Sequence, residues 1–568
     1  MLNKAIARWV LPEPAAPQLV QSLVSALGLP RIVADLLVRR GYQEPEAAQR
    51  FLFPRLNTLG DPFLLPDMEI AVWRILQAID QKQTIVLYGD YDVDGLTSLT
   101  LLHRVLALYQ ADVHCFLPQR KDEGYGLSAK GVARCINEYA PTLLIAIDCG
   151  TSSVAEIQHL KNIGVDVVVL DHHECPEQLP PCVALVNPKK GQVFHYLCSV
   201  GIVFKVAHAL LKQRPNAAVQ LKDYLDLVAL GSVADLVPLV EENRVLVQKG
   251  LEQLAVTKWQ GIKTLAEKAG VKPPWVASDV GFKLGPRLNA AGRLGEAKRA
   301  FLLLMSENEG EAADLTEELE EENQNRKIIA EDVYQLAEAQ VAEKFNIAKD
   351  FAIVVGGDGW HEGVIGIAAS KLMHKYNRPA IVIGFDEQGF GKGSCRSIPG
   401  FSLVSVLRSC GGYLEKSGGH DMAAGLSIRR EQFENFRTAF VREAGELIRE
   451  EELTPLIVPD AEVHIHELNL VLLEQLAKLG PFGIANASPV FLLRNVFPAG
   501  QPRVMKEKHL SLEIRQDKET ARAIWFNGAT DPVPKAPWDV AFELVRNEYQ
   551  GRVQPQIQIR ALRSAAGT

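Results

Sequence analysis

Apolar and polar positions alternate along this chain on two different periods, and the places where the period changes mark its organisation. From about residue 70 to 240, short β-like runs alternate with stretches whose apolar residues recur every three or four positions. The runs are Thr84-Ile85-Val86-Leu87, Leu143-Leu144-Ile145-Ala146-Ile147 and Val165-Asp166-Val167-Val168-Val169-Leu170, and the recurrence is clearest at Leu96, Leu99, Leu102 and Val105. That pattern predicts a doubly wound parallel sheet. Between about 310 and 345, Ala, Glu, Leu and Lys dominate without Gly or Pro after Gly310, which predicts one long helix. Sequence alone leaves open whether it joins two lobes or packs on one. A second α/β unit begins at Phe351-Ala352-Ile353-Val354-Val355, continues at Pro379-Ala380-Ile381-Val382-Ile383, and ends near Ile448. After Glu450-Glu451-Glu452 and Pro455 come short runs such as Leu510-Ser511-Leu512-Glu513-Ile514, Ala523-Ile524-Trp525-Phe526 and Gln556-Ile557-Gln558-Ile559. Short strands with intervening turns predict a small barrel.

The chemistry sits where the apolar runs stop. Asp90, Asp92 and Asp94 fall within five residues directly after the first run, and Asp171-His172-His173 follows another. Asp148 ends a third, and Asp235 ends a predicted helix. Open α/β sheets bind ligands at the carboxyl ends of their strands. Carboxylates this crowded repel one another unless a cation neutralises them, and oxygen ligands mixed with imidazole suit Mn²⁺ or Mg²⁺. A single acid at a strand end is usually a cap or a solvated turn, but four such places in one domain point to two metal ions and a hydrolase.

Asp92-Val93-Asp94, Asp148, Asp171-His172-His173 and Asp235 resemble, in order, the motifs of the DHH phosphoesterase superfamily. The version Gly89-Asp90-Tyr91-Asp92-Val93-Asp94-Gly95 resembles its RecJ branch, as does Gly285-Pro286-Arg287-Leu288-Asn289-Ala290-Ala291-Gly292-Arg293. Gly391-Lys392-Gly393-Ser394-Cys395-Arg396-Ser397 and Ser417-Gly418-Gly419-His420 resemble the DHH-associated (DHHA1) substrate-binding domain. The resemblance implies a metal-dependent exonuclease that degrades single-stranded DNA 5′→3′ to 5′-mononucleotides in repair and recombination. It further implies an OB-like C-terminal module, in which Trp525, Phe526, Trp538 and Tyr549 are candidates to stack bases or to fill the core. The expected architecture is therefore α/β. A leader over 1–70 packs on the first lobe, a DHH domain spans 71–305, and a connecting helix spans 306–348. A DHHA1-like domain follows over 349–452 and an OB-like β-barrel over 453–568.

In this reading Asp92, Asp94, Asp148, His172 and Asp235 hold two Mn²⁺ or Mg²⁺ ions, with Asp148 the bridge. Asp90 either ligates directly or stands one layer behind. His173 is a ligand, a phosphate contact or a hydrogen-bond partner. Other DHH enzymes place a His at the position of Tyr88, which puts the first ion's ligand set in question. By resemblance Arg120, Ser394 and Arg396 contact the 5′ phosphate, with Gly419 and His420 in the same glycine-rich site, and Arg287 contacts a phosphate near the scissile bond. Asn289 and Arg293 either join it or brace their loop. Shorter DHH oligoribonucleases or nucleotide phosphatases, and a catalytically silent DNA-binding scaffold, remain the alternatives. They are disfavoured by the added β module and by the full set of acids.

A net charge of −8 argues at first against a nucleic-acid partner, but acids facing cations distort that total, and a local basic channel decides the matter. Arg120-Lys121, Lys189-Lys190, Arg287, Arg293, Lys298-Arg299 and Lys392 with Arg396 are its candidates, while the run Glu317 to Glu322 reads as a solvated helix face. The opening residues lack a signal peptide, and no apolar stretch reaches a membrane span. Eight cysteines without C-x-x-C spacing read as free thiols in a reducing cytoplasm, and a monomer is the separate expectation for the chain's assembly. The resemblance adds a single-strand-binding protein and a RecQ-type helicase as partners.

Overall fold

Five parallel strands form the first sheet, in the spatial order Val113–Phe116, Ile85–Tyr88, Leu143–Ile147, Asp166–Leu170 and Ala184–Val186. Every residue of Ile85–Tyr88 and Leu143–Ile147 is buried, as expected of strands covered by helices on both faces. The strand order reverses between Ile85–Tyr88 and Leu143–Ile147. That switch point is where a crevice opens at the carboxyl ends of a parallel sheet. This computed structural model describes residues 7–11, 13–124, 126–294, 296–346, 349–549 and 551–565. Among the described residues no helix is long and apolar enough to cross a membrane.

One helix, Glu309–Lys344, runs for 36 residues, about 54 Å at the usual rise. Its Ala312 and Leu319 belong to the core of the first lobe, and its Ala330, Val333, Ala337 and Val341 to that of the second. It therefore joins two lobes, which the sequence pattern had left open. The acidic run on it is more than a solvated face. Glu317 pairs with Lys268, Glu318 and Glu322 with Arg299, and Glu320 with Arg287, so these acids seat the helix on the first lobe. The second lobe is a five-stranded sheet ordered Lys416–Gly419, Ala423–Arg429, Phe390–Arg396, Ala380–Phe385, Ile353–Asp358, with only the last pair parallel.

The C-terminal strands close on themselves. Phe491–Pro498 pairs with both Trp538–Tyr549 and His509–Gln516, and Glu519–Trp525 runs parallel to Arg552–Ser564, which makes a five-stranded ring. The leader departs from expectation. Its helices Pro17–Leu27, Arg31–Arg39 and Pro45–Leu52 bury Leu23, Val33, Leu37 and Leu52 in one core with Phe491, Trp538 and Phe542 of the barrel. Its later part, with Leu56, Leu59, Phe63 and Leu65, packs on the first lobe, where Arg244 also covers the Phe51 ring. The leader's apolar faces are visible in sequence, but which distant core they complete is not. Of the aromatics proposed to stack bases, Trp538 is core, with its indole N–H donating to Pro534 O (2.7 Å). Trp525 packs against that core, and Phe526 is exposed beside His509. The Tyr549 side chain lies outside the described residues.

Candidate metal centre

Asp90 and Asp92 follow the strand Ile85–Tyr88, and Asp92 caps the helix Val93–Leu108. Its Oδ1 accepts from the amides of Asp94 (3.0 Å) and Gly95 (3.2 Å). Gly95 is required here by close approach, because a Cβ would lie 2.6 Å from Asp90 O. Asn289, on the helix Gly285–Leu294, accepts from the Val93 amide (3.1 Å), so of the two roles left open for it the side chain here braces the carboxylate loop.

Asp94 turns inward, 1% exposed, and accepts from the amides of Ser199 (2.7 Å) and Val200 (2.8 Å) at the start of the helix Ser199–Gln213. Asp148, one residue past Leu143–Ile147, sits at φ 62°, a left-handed conformation uncommon outside glycine, and accepts from the Ser199 hydroxyl (2.8 Å). Asp171 accepts from the His172 and His173 amides (2.8 and 3.2 Å) and contacts His173 Nδ1 (2.7 Å). This fixes the His173 imidazole and the backbone of both histidines. Asp235 follows the last turn of Leu225–Ala234.

These residues converge. His172 Nε2 stands 3.4 Å from Asp148, 3.7 Å from Asp235 and 3.9 Å from Asp94. Asp148 shares one group of close ligand atoms with His172 and His173 and another with Asp90 and Asp92, while Asp94, Asp235 and Cys198 form a third. Burial and the neighbouring acids push the carboxyls of Asp94, Asp148 and Asp235 well above the usual range. Burial, helped by His173, lowers the His172 imidazole to about 4, so it is neutral and free to ligate. Burial works against the charged form of His173 too, but Asp171 more than offsets it and raises His173 to about 9. The His173 ring also shares a group of close ligand atoms with Asp148 and His172, so its geometry suits a ligand as well as a hydrogen-bond partner. Several buried carboxylates that cannot all ionise alone, around one neutral imidazole, are the donor set that divalent cations require.

Tyr88 faces the other way. It is wholly buried, stacks on Phe116 and donates to Gly126 O (3.1 Å), so it offers nothing to the cluster. Cys198 was not foreseen. It sits one residue before the amides that hold Asp94, and no spacing in the sequence ties it to that acid.

In the second lobe, the Arg396 guanidinium donates to the Ser394 hydroxyl (3.0 Å) on the strand Phe390–Arg396. A Cβ on Gly366, in the helix Glu362–Tyr376, would come within 2.9 Å of that hydroxyl and 3.0 Å of the guanidinium. Gly366 therefore makes room for the pair, another contribution absent from the sequence reading. Arg293 reaches across to Gly363 O (3.0 Å), which ties the two lobes together. Gly419 (φ 140°) and His420 lie at an exposed hairpin, and the charge of His420 helps to lower His172. Arg287 is held by Glu320 (2.5 Å) and by Lys283 O (2.6 Å). Lys189, Lys190 and Lys392 also pair with acids. The Arg120 side chain lies outside the described residues.

Three family models match the chain: the DHH family N-terminal domain over residues 84–232, the DHHA1 domain over 348–446, and the RecJ OB domain over 459–561. The single-stranded-DNA-specific exonuclease RecJ of Escherichia coli K12 is 32% identical over 94% of this chain and 95% of its own length. This chain belongs to the RecJ family. The RecJ of Bacillus subtilis 168 is 36% identical over 97% of this chain and 70% of that protein. Crystal structures of RecJ from Thermus thermophilus match at TM-score 0.83 in complex with Mn²⁺ and 0.76 with Mg²⁺. They are 29% and 27% identical, and each match covers 99% of this chain, with 80% and 79% of the solved chain covered. Family membership carries with it a phosphoesterase fold and a single-strand-specific exonuclease activity served by divalent metal.

Proposed function

We propose that this RecJ-family chain degrades single-stranded DNA from the 5′ end to 5′-mononucleotides, in repair and recombination, with two Mn²⁺ or Mg²⁺ ions. The observation that carries the reading is the sharing of Asp148 between two ligand groups at the sheet's switch point, and a Ser394–Arg396 pair in the second lobe supports it. Asp90, Asp92 and Asp148 would hold one ion. Asp94, Asp148, His172 and Asp235 would hold the other. When bound, such a pair lowers the pKa of water and neutralises charge on the phosphate and the departing 3′ oxygen. The chain's own part is placement. Asp171 orients the His173 imidazole and holds the backbone of both histidines, Ser199 and Val200 fix Asp94, and Asn289 fixes the Asp92 loop.

The planar fork of Arg396, beside a hydroxyl and a glycine, suits a terminal phosphate. With Arg120, Gly419 and His420 it would count the strand from its 5′ end, while Arg287 and His173 meet phosphates nearer the cut and Arg293 braces the lobes. Arg287 would exchange Glu320 for phosphate. A single-strand-binding protein and a RecQ-type helicase are the proposed partners, since this substrate must be unwound and shielded. Eight free cysteines support a reducing, cytoplasmic location.

The deciding experiment is digestion of 5′- and 3′-labelled single- and double-stranded DNA and RNA, with Mn²⁺ and with chelator. The 5′ label should be released first, as a mononucleotide, from single-stranded DNA only and only with metal. Earliest release of the 3′ label, or equal attack on blunt duplex, overturns the reading.

A further inference from the structure

Phe282 is 82% exposed, more than any other large apolar side chain among the described residues, and its position makes that exposure informative. It occupies a single π-turn, Val280–Leu284, whose ends Val280 and Leu284 are wholly buried in the core of the first lobe. The ring is thus carried on a rigid element. Such turns recur at functional sites, because they re-aim a side chain that an ordinary helix would place elsewhere.

The turn packs on the helix that ends in Asp235. A Cβ on Gly281 would meet Val233 at 3.8 Å, and one on Gly285 would meet Ala234 at 3.5 Å. Downstream, the same segment continues into Gly285–Leu294, whose Asn289 braces the Asp92 loop. Phe282 therefore stands on the link between two parts of the carboxylate cluster. Directly after Asp235 comes Leu236, 67% exposed and held at φ 59°, a conformation that costs a non-glycine residue free energy. Two large apolar side chains are thus exposed, one directly after Asp235 and one on the turn packed against the helix that precedes it. Lys283 and Arg287 lie on the same segment, paired with Asp279 and Glu320, acids that a phosphate would have to displace.

Resting on the reading of this site as a single-strand exonuclease, we propose that Phe282 is a stacking subsite for a nucleobase close to the scissile phosphate. Sites for single strands pair cations that follow the backbone with aromatic faces that take any base. In that reading the ions held by the carboxylates and the Arg396 guanidinium meet only phosphate, and so hold the backbone alone. A stacked base would fix the nucleotide's rotation about that backbone and, with it, the line of attack at phosphorus.

The test uses the full-length protein, in chelator, with single-stranded oligonucleotides carrying 2-aminopurine at successive positions from a 5′ phosphate. Binding should quench fluorescence at one or two adjacent positions. The quench should vanish in Phe282→Ala and Phe282→Leu and persist in Phe282→Tyr. An abasic residue at the quenched position should weaken wild-type binding about five- to a hundredfold and barely affect Phe282→Ala. Both Ala and Leu variants should melt with the wild type, since the ring is exposed. An unchanged ratio of intact to abasic affinity in Phe282→Ala, which a protein-docking residue would also give, overturns the proposal. Digestion with Mn²⁺ is followed in parallel. Quenching without digestion would sink the exonuclease reading and leave the subsite, whereas digestion without quenching would sink the subsite alone.

Discussion

Asp148 concentrates the demands of this site in one residue. Its backbone is held in a left-handed conformation, its Oδ1 takes the Ser199 hydroxyl, and it stands between two groups of candidate ligands. Asp148→Asn should keep the shape and the Ser199 bond while removing the charge. If the carboxylate bridges two ions, both Asp148→Asn and Asp148→Ala should lose more than about a hundredfold in nuclease rate while single-strand binding persists. Activity of Asp148→Asn within tenfold of wild type would show that the bridge is elsewhere. The acids themselves were legible in sequence because each ends an apolar run. The partners that orient Asp94 were not. They are the backbone amides of Ser199 and Val200, about a hundred residues away, and a backbone amide leaves no residue signature.

At the scale of elements, strands and helices were readable because period and burial agree, and the strand ends then located the first-lobe chemistry. The second-lobe pocket was half readable. Ser394 and Arg396 announce themselves on one strand, but Gly366 acts by lacking a side chain on a helix that the sequence gives no reason to place opposite. The leader shows the same limit, since an amphipathic helix reveals that it is covered without revealing by what. If the pocket seats a 5′ phosphate, Arg396→Ala should bind 5′-phosphorylated strands on the order of ten- to a hundredfold more weakly. That corresponds to a charge-assisted contact of roughly 1.5–3 kcal/mol. Binding to 5′-hydroxyl strands should change little. Equal loss on both, with a lowered melting temperature, would make Arg396 a packing residue.

For the whole molecule, the carboxylate cluster makes stability depend on metal and on pH together. Asp94 and Asp235 have their carboxyls raised by burial and by neighbouring acids, to about 7 and about 9. A group whose pKa is raised by folding contributes stability below its unfolded value near 4, and that contribution is lost as pH rises through the folded value. Metal-free protein should therefore melt progressively lower from pH 5 to pH 9. Mn²⁺ binds the ionised cluster, so its stabilisation should grow over the same range. At a hundredfold excess over its dissociation constant it adds about 2.7 kcal/mol. Asp148→Asn removes one of the repelling charges, so without metal it should melt no lower than wild type at pH 8, and it should lose most of the Mn²⁺ shift. Melting curves of both proteins at pH 5, 7 and 9, with Mn²⁺ and with chelator, check each sign. A wild-type protein whose Mn²⁺ shift is as large at pH 5 as at pH 9 would mean that the ions bind away from these acids.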